Sequence, residues 1–416
     1  MSTNLSSSAL ARHSLGEGGS IGGEALLFSL YLHLPFCLRK CPYCDFASVP
    51  LDEAGGAPAA RRYLDALAVE LDLRAASDEF HGAQLATIYF GGGTPTVLPA
   101  EWLGDIISRL RARFPVSPEA EITIEANPGT VDEEKIAALL SAGANRLSLG
   151  IQSFSDDVLH TLGRAHSAGD AEKAIAAART GGCLNLNLDL IYGVPSQALD
   201  HWRDTLQRTL EAAPDHISTY ALTLEPGTPL AVDIQACRLP APDEDLTADM
   251  YALAAEMLPA AGYHHYEISN FALYGERSRT IPSMECKHNR RYWANAEYLG
   301  LGASAHSYRA GIRWNNLPSW EVYTEWLERG QLSVARAEAL SARQSLGEML
   351  MLGLRCAEGV STEEAEARSG LAPQDVFGEQ IDRLCDQGLL VLAEGRLRIP
   401  REKWLISNEV LSQFTL

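Results

Sequence analysis

From residue 26 the sequence alternates short β-rich runs with longer segments whose apolar residues recur at helical spacing, and it does so six times. Strands are predicted at 27–34, 85–90, 121–126, 146–151, 184–191 and 216–222, with helices at 61–76, 100–114, 132–142, 168–180 and 201–211 between them. The first helix shows the spacing in Tyr63, Leu64, Leu67, Leu71 and Leu73. Asp132, Glu133 and Glu134 open the third, where the helix dipole favours negative charge. Repeated strand–helix units place parallel strands in one sheet under covering helices. The predicted fold class is α/β, a partial (βα)6 TIM-like barrel over residues 26–240.

Beyond residue 240 the pattern changes. Residues 241–335 read as an extension of the barrel. From about residue 336 to 416, three helices precede two short strands at 388–392 and 396–399, the signature of an α+β winged-helix-like domain. A formal net charge of −20 sets that domain, and the chain, against nucleic acid or an anionic membrane surface. A packing or protein-partner role is expected for it instead. Residues 1–25 are rich in Ser and Gly and lack the basic-then-apolar order of a signal peptide, so a flexible tail and a cytoplasmic protein are expected. No uncharged apolar run reaches the roughly 18 residues of a membrane span, so no integral membrane segment is expected.

Eight cysteines in a chain of 416 residues do not make a disulfide scaffold. Three of them, Cys37, Cys41 and Cys44, crowd the loop that follows the first predicted strand, in the order C-x3-C-x2-C with Tyr43 before the third. Barrel sites form in such loops. Structural zinc takes four protein ligands and iron–sulfur clusters usually take four cysteines. Three ligands imply either a distant fourth, for which His33 or the Cys286–His288 pair can be proposed, or an iron left open. Structural zinc and unliganded thiols are the alternatives.

The later strands also end in polar residues. The second runs into Gly91, Gly92, Gly93 and Thr94, the third into Glu125, the fourth into Gln152, and the fifth carries Asp189. Glycines at a strand end allow close backbone approach to a ligand, or only a turn. The polar set converges on the barrel face that hosts catalysis.

With these motifs the chain resembles the radical-SAM proteins of the oxygen-independent coproporphyrinogen III oxidase family, from Leu30 to the C-terminus. The matching segments are Tyr31-Leu-His33, Gly-Ile-Gln152-Ser-Phe, Gly-Arg164-Ala-His and Leu-Asp189-Leu-Ile-Tyr-Gly-Val-Pro. The resemblance implies a [4Fe–4S] cluster on Cys37, Cys41 and Cys44. It also implies S-adenosylmethionine held by Tyr31, Gly92, Gly93, Thr94, Glu125, Gln152, Arg164 and Asp189. The cofactor amino and carboxylate groups would chelate the open iron, and electron transfer would cleave the sulfonium to a 5′-deoxyadenosyl radical; the barrel supplies orientation and exclusion of water.

Two departures point to a subgroup. The family's catalytic members carry a further cysteine where this chain has Phe46, and the oxidases have a longer segment before the first strand. His288-Asn289-Arg290-Arg291-Tyr292-Trp293 matches the H-N-x-x-Y-W motif of the radical-SAM haem chaperones. An imidazole can ligate haem iron, the two aromatic rings offer faces to a porphyrin, and Arg290 and Arg291 suit propionates. The residues alone favour a hydrogen-bonded His288 and a core Trp293; Phe46 and the family resemblance reverse that balance. The resemblance therefore implies a haem chaperone that binds haem through His288, Asn289, Tyr292 and Trp293 and supplies apo-haemoproteins, with no catalytic residue assigned. It also allows a homodimer. His306, His264 and His265 are lesser candidates for iron ligation. The competing expectations are coproporphyrinogen III oxidation and another radical-SAM reaction.

Overall fold

The computed structural model describes residues 26–80, 82–273 and 284–415. The tail expected over residues 1–25 and part of the polar loop after Ile268 lie outside the described residues.

One twelve-stranded sheet organises the fold. Its centre is the parallel series Leu27–Leu34, Gln84–Gly92, Val116–Ala126, Arg146–Gln152, Leu186–Tyr192 and His216–Ala221, in chain order. These are the six expected barrel strands, and each is joined to the next through a helical segment. The sheet is nevertheless larger than six units. Tyr298–Leu301 pairs parallel to Leu27–Leu34 as a seventh strand. His306–Arg309, Ile312–Asn316 and Val334–Ala339 continue beyond it, antiparallel, and Asn270–Leu273 with Tyr263–Glu267 flank the opposite edge. The helix expected from about residue 336 is thus partly strand, and the helix itself begins with Ala342 under a Ser341 capping box.

Alternation along the central strands decides which residues face what. One set, including Leu30, Leu32, Ile88, Phe90, Ile122, Ile124, Leu147, Leu149, Leu188 and Leu190, is buried among the apolar faces of the helices. The alternate set is polar and turns into the barrel. Tyr31 lies beside Tyr89, Tyr89 beside Thr123, and Thr123 beside Arg146 in register. A TIM barrel normally fills its interior with branched aliphatic side chains. This one leaves a polar-lined interior instead.

The helix Gly56–Ala75 starts five residues before the expected position. Pro58 sits in its first turn, where no backbone donor is lost, and Gly55 caps it with φ 105°. Its Glu70, fully buried, ties it to the seventh strand and beyond by accepting from Gly302 N (2.9 Å), Asn316 Nδ2 (2.7 Å) and Tyr323 Oη (2.7 Å). At the C-terminal end the helices Ala342–Gly353, Thr362–Ser369 and Pro373–Asp386 pack around Leu346, Phe377, Ile381 and Trp404. The expected two-stranded wing is three-stranded, because Val360–Ser361 pairs with Arg396–Arg398, which pairs with Val391–Ala393. A two-residue strand carries no alternation by which to read it.

Candidate functional site

The cysteine loop leaves the C-terminal end of the first strand and is pinned along its length. Phe36–Cys37 pairs in parallel with Val49–Pro50. Lys40 Nζ donates to the carbonyls of Phe46 (3.1 Å) and Ser48 (3.2 Å). Gly93 N donates to Leu34 O (2.8 Å) and Thr94 N to Phe36 O (2.7 Å). A side chain at Gly93 would lie 2.5 Å from the Phe36 carbonyl, and one at Gly92, whose φ is +103°, would run into the His33 ring. The space these glycines leave is therefore taken by the first strand and the loop.

His33 is buried and fully committed. Its Nε2 faces the Ala47 carbonyl at 2.9 Å, which requires a proton there, and its Nδ1 then accepts from Tyr31 Oη at 3.1 Å. Burial lowers its pKa, so it stays neutral with no lone pair to spare for a metal. As a fourth ligand to the cysteine cluster it is excluded by these bonds. The Cys286–His288 pair is excluded by position, as shown below.

Cys37, Cys41 and Cys44 are free thiols, all partly accessible. Thr94 Oγ1 approaches Cys37 Sγ at 3.8 Å and itself accepts from Asn127 Nδ2 at 2.7 Å. Arg164 donates from Nη1 to Cys41 Sγ (3.4 Å) and Tyr43 Oη (3.5 Å), and from Nη2 to Gly150 O (2.9 Å) and to Asn127 Oδ1. A guanidinium over thiol sulfurs stabilises thiolates or a cluster that carries negative charge. Among the described residues no three His, Cys, Asp or Glu side chains converge on a point for a single ion. The donor set still fits a cluster: three partly accessible thiols of one loop, a cation beside them and, among the described residues, no fourth ligand completing a metal site.

Inside the mouth, Tyr89 Oη donates to Glu125 Oε1 at 2.7 Å, and Tyr31 stacks against Tyr89 with centroids 6.3 Å apart. Burial pushes the Glu125 carboxyl up to about 7, with the Asp189 charge adding to the effect against the Tyr89 hydrogen bond. Asp189 accepts from Ser148 Oγ (2.8 Å) and Asn187 Nδ2 (2.9 Å). Gln152 ends its strand at a register shift with φ 64°, and its buried Oε1 has no partner. A bulge of this kind re-aims a side chain beside a site. The expected cofactor residues thus gather at one barrel end: Thr94 and Arg164 at the cysteine loop, and Tyr31 and Glu125 around Tyr89.

The H-N-x-x-Y-W segment lies elsewhere. It forms the helix Lys287–Trp293, seated at the N-terminal ends of the strands. Glu121 accepts from Lys287 N (3.0 Å), His288 N (3.1 Å) and Cys286 Sγ (3.5 Å). Arg291 donates to Ser29 Oγ and Leu27 O, both at 2.6 Å. At about 3.3 Å per strand residue, this floor is on the order of 15 Å from the cysteine loop. His288 is only 1% exposed; its Nδ1 bonds Thr87 Oγ1 at 2.8 Å and its Nε2 has no partner. Burial lowers its pKa to about 3, so it is a neutral ring. Tyr292 meets it edge-on at 4.7 Å, Trp293 lies under Arg355 at 4.6 Å, and Asn289 is half-buried. Arg290, expected with Arg291 to suit propionates, here pairs with Glu285 (3.3 Å) and Glu358 (2.7 Å), and Arg291 is bound as above. Of the lesser candidates, His265 is buried against Phe271 and bonded to Ile268 O (3.1 Å), His264 pairs with Glu285 (3.3 Å), and His306 is exposed.

Sequence reasoning passed over Tyr89, Asn127, Arg146, Asn187 and His216, all on the polar face of their strands or just beyond it. The available signal was that polar residues recur at alternate positions through the middle of those strands, as in Thr87 and Tyr89, Arg146 and Ser148, and Asn187 and Asp189, and not only at their ends.

The polar-lined barrel and its cysteine loop define a radical SAM protein, and the Radical SAM superfamily model matches residues 31–209. The HemN C-terminal domain model matches residues 340–406. The chain belongs to the haem chaperone HemW family. It is 37% identical over 384 residues to the heme chaperone HemW of Mycobacterium tuberculosis, covering 92% of this chain and 94% of that protein. It is 34% identical over 399 residues to that of Escherichia coli, covering 93% and 97%. Among solved structures, the coproporphyrinogen III oxidase HemN of Escherichia coli superposes with a TM-score of 0.80 at 26% identity, covering 94% of this chain and 90% of that chain. Among the described residues no helix is long and apolar enough to cross a membrane.

Proposed function

We propose that this protein binds haem and passes it to apo-haemoproteins, carrying a [4Fe–4S] cluster on Cys37, Cys41 and Cys44 and binding S-adenosylmethionine at the barrel mouth. The observation that carries this reading is the 37% identity to a heme chaperone over 94% of that protein's length. Phe46, exposed at the position of the oxidases' further cysteine, supports it.

In this reading Arg164 and Thr94 steady the cluster loop, and Glu125 takes the ribose with Tyr31 beside it. The Gly92–Gly93–Thr94 backbone, Gln152 and Asp189 complete the pocket. When bound, the cluster supplies one-electron reducing chemistry to the sulfonium. Haem meets the chain at the H-N-x-x-Y-W segment, through Asn289, Tyr292 and Trp293. Axial ligation by His288 requires the helix Lys287–Trp293 to draw its ring out of the barrel. The setting is the cytoplasm.

The test is anaerobic reconstitution of the cluster, then haem titration and coproporphyrinogen turnover on the same sample. Stable haem binding, transfer to an apo-haemoprotein and no turnover are expected. Turnover without stable haem binding would sink the proposal.

A further inference from the structure

From the floor of the barrel the H-N-x-x-Y-W helix reaches Tyr89, the hydrogen-bond partner of Glu125, through an aromatic ring. The His288 ring lies on Tyr89 with centroids 4.9 Å apart and planes at 28°. Its Nδ1 bond to Thr87, two residues before Tyr89 on the same face of the same strand, fixes the ring in rotation as well as in place. Tyr292 closes the other approach edge-on. The backbone beneath His288 is anchored by the Glu121 carboxylate. Tyr31 flanks Tyr89 as well, in a stacked geometry. Held this way, the Tyr89 hydroxyl donates to Glu125 at 2.7 Å.

A tyrosine in a polar-lined interior lacks the apolar packing that normally restricts its rotamer. Aromatic neighbours supply that restriction here. Burial, and not the ring contact, keeps this imidazole uncharged, because an imidazolium this far from water would be strongly penalised.

We propose that His288 is a positioning residue for the S-adenosylmethionine pocket, acting by stacking on Tyr89 and so orienting the Glu125 carboxylate. The proposal rests on the reading of Glu125 as the ribose contact. It gives the H-N-x-x-Y-W motif a function in the haem-free protein, performed from inside the barrel and separate from haem ligation.

The test uses the full-length, cluster-reconstituted protein, with S-adenosylmethionine affinity from calorimetry and the reduced-cluster EPR signal with and without S-adenosylmethionine. Glu125→Ala and His288→Ala are each expected to weaken S-adenosylmethionine binding about tenfold, the worth of one hydrogen bond to a charged group. The EPR signal without S-adenosylmethionine should be unchanged in both. His288→Phe, which keeps a stacking ring, should recover affinity to within about twofold. The double variant should lose no more than Glu125→Ala alone, because both changes act on one contact. His288→Ala at wild-type affinity, or fully additive losses, overturns the proposal. Wild-type affinity in Glu125→Ala instead overturns the reading of Glu125. Should His288→Ala fail to fold, His288→Leu keeps the bulk without the stacking ring and carries the same expectations.

Discussion

Arg164 reaches across the barrel mouth to Cys41, with its Nη1 3.4 Å from the sulfur and its Nη2 2.9 Å from the Gly150 carbonyl. The residue therefore joins the cysteine loop to the end of the fourth barrel strand, two elements more than 100 residues apart in sequence. A fixed cation beside the proposed cluster would favour its more negative, reduced state. Arg164→Met should move the cluster midpoint potential to more negative values, and Arg164→Lys should fall between. An EPR-monitored redox titration checks it, and an unmoved midpoint would count against the contact.

As the proposed cluster ligands, the three cysteines should contribute binding and little folding stability. They are partly accessible, and Thr94 and Arg164 approach the sulfurs of Cys37 and Cys41 at a long 3.8 and 3.4 Å. Replacing any one of Cys37, Cys41 or Cys44 by Ser should abolish iron and sulfide incorporation. The stability of the cluster-free protein should stay within about 1 kcal/mol of wild type. Iron and sulfide analysis and urea melts of the apo-protein check the two halves separately.

With Glu125 as the proposed ribose contact, cofactor affinity should depend on pH. Burial first, then the neighbouring Asp189 charge, pushes its carboxyl from 4.5 up to about 7. Below that pH it is neutral and a poorer acceptor for ribose hydroxyls. S-adenosylmethionine affinity should therefore rise as pH increases through about 7. Fold stability runs the other way: a raised carboxyl pKa gives a contribution fully present below 4.5 and lost as pH rises through about 7. Glu125→Gln should flatten both profiles, which calorimetry and apo-protein melts across pH 5–9 would show.

Glu70 should be among the most stability-sensitive positions. Its carboxylate satisfies Gly302 N, Asn316 Nδ2 and Tyr323 Oη in a fully buried setting. Glu70→Ala strands these donors, each worth about 1–3 kcal/mol when buried and unpaired. A loss of at least about 3 kcal/mol is expected in urea denaturation, with Glu70→Gln milder because one acceptor oxygen remains.

Much of this molecule is legible from local pattern. The six barrel strands follow from alternating runs, and the helix Ala168–Thr180 appears with its expected bounds under a Ser167–Asp170 capping box. The cysteine loop is readable as a short contiguous motif at a strand end, whereas the roles expected of Arg164 and Glu125 come from the family resemblance of the segments around them. The strand Val334–Ala339 was not, because its exposed and half-buried residues show no apolar face. Nor was the position of His288, since adjacency to Trp293 in sequence says nothing of which end of a barrel the helix enters.

The sequence by itself determined the α/β class and the six central strands, and it placed three thiols in one loop after the first of them, because alternation, helical spacing and motif spacing act over a few residues. Only the tertiary structure decided that the polar face of every barrel strand turns inward. The same holds for His33, whose two nitrogens are both taken, and for the H-N-x-x-Y-W helix, which plugs the floor opposite the cysteine loop. Those facts depend on contacts such as Thr87–His288, 201 residues apart. Long-range pairs of this kind form only when the sheet curls and its interior side chains must find partners away from water.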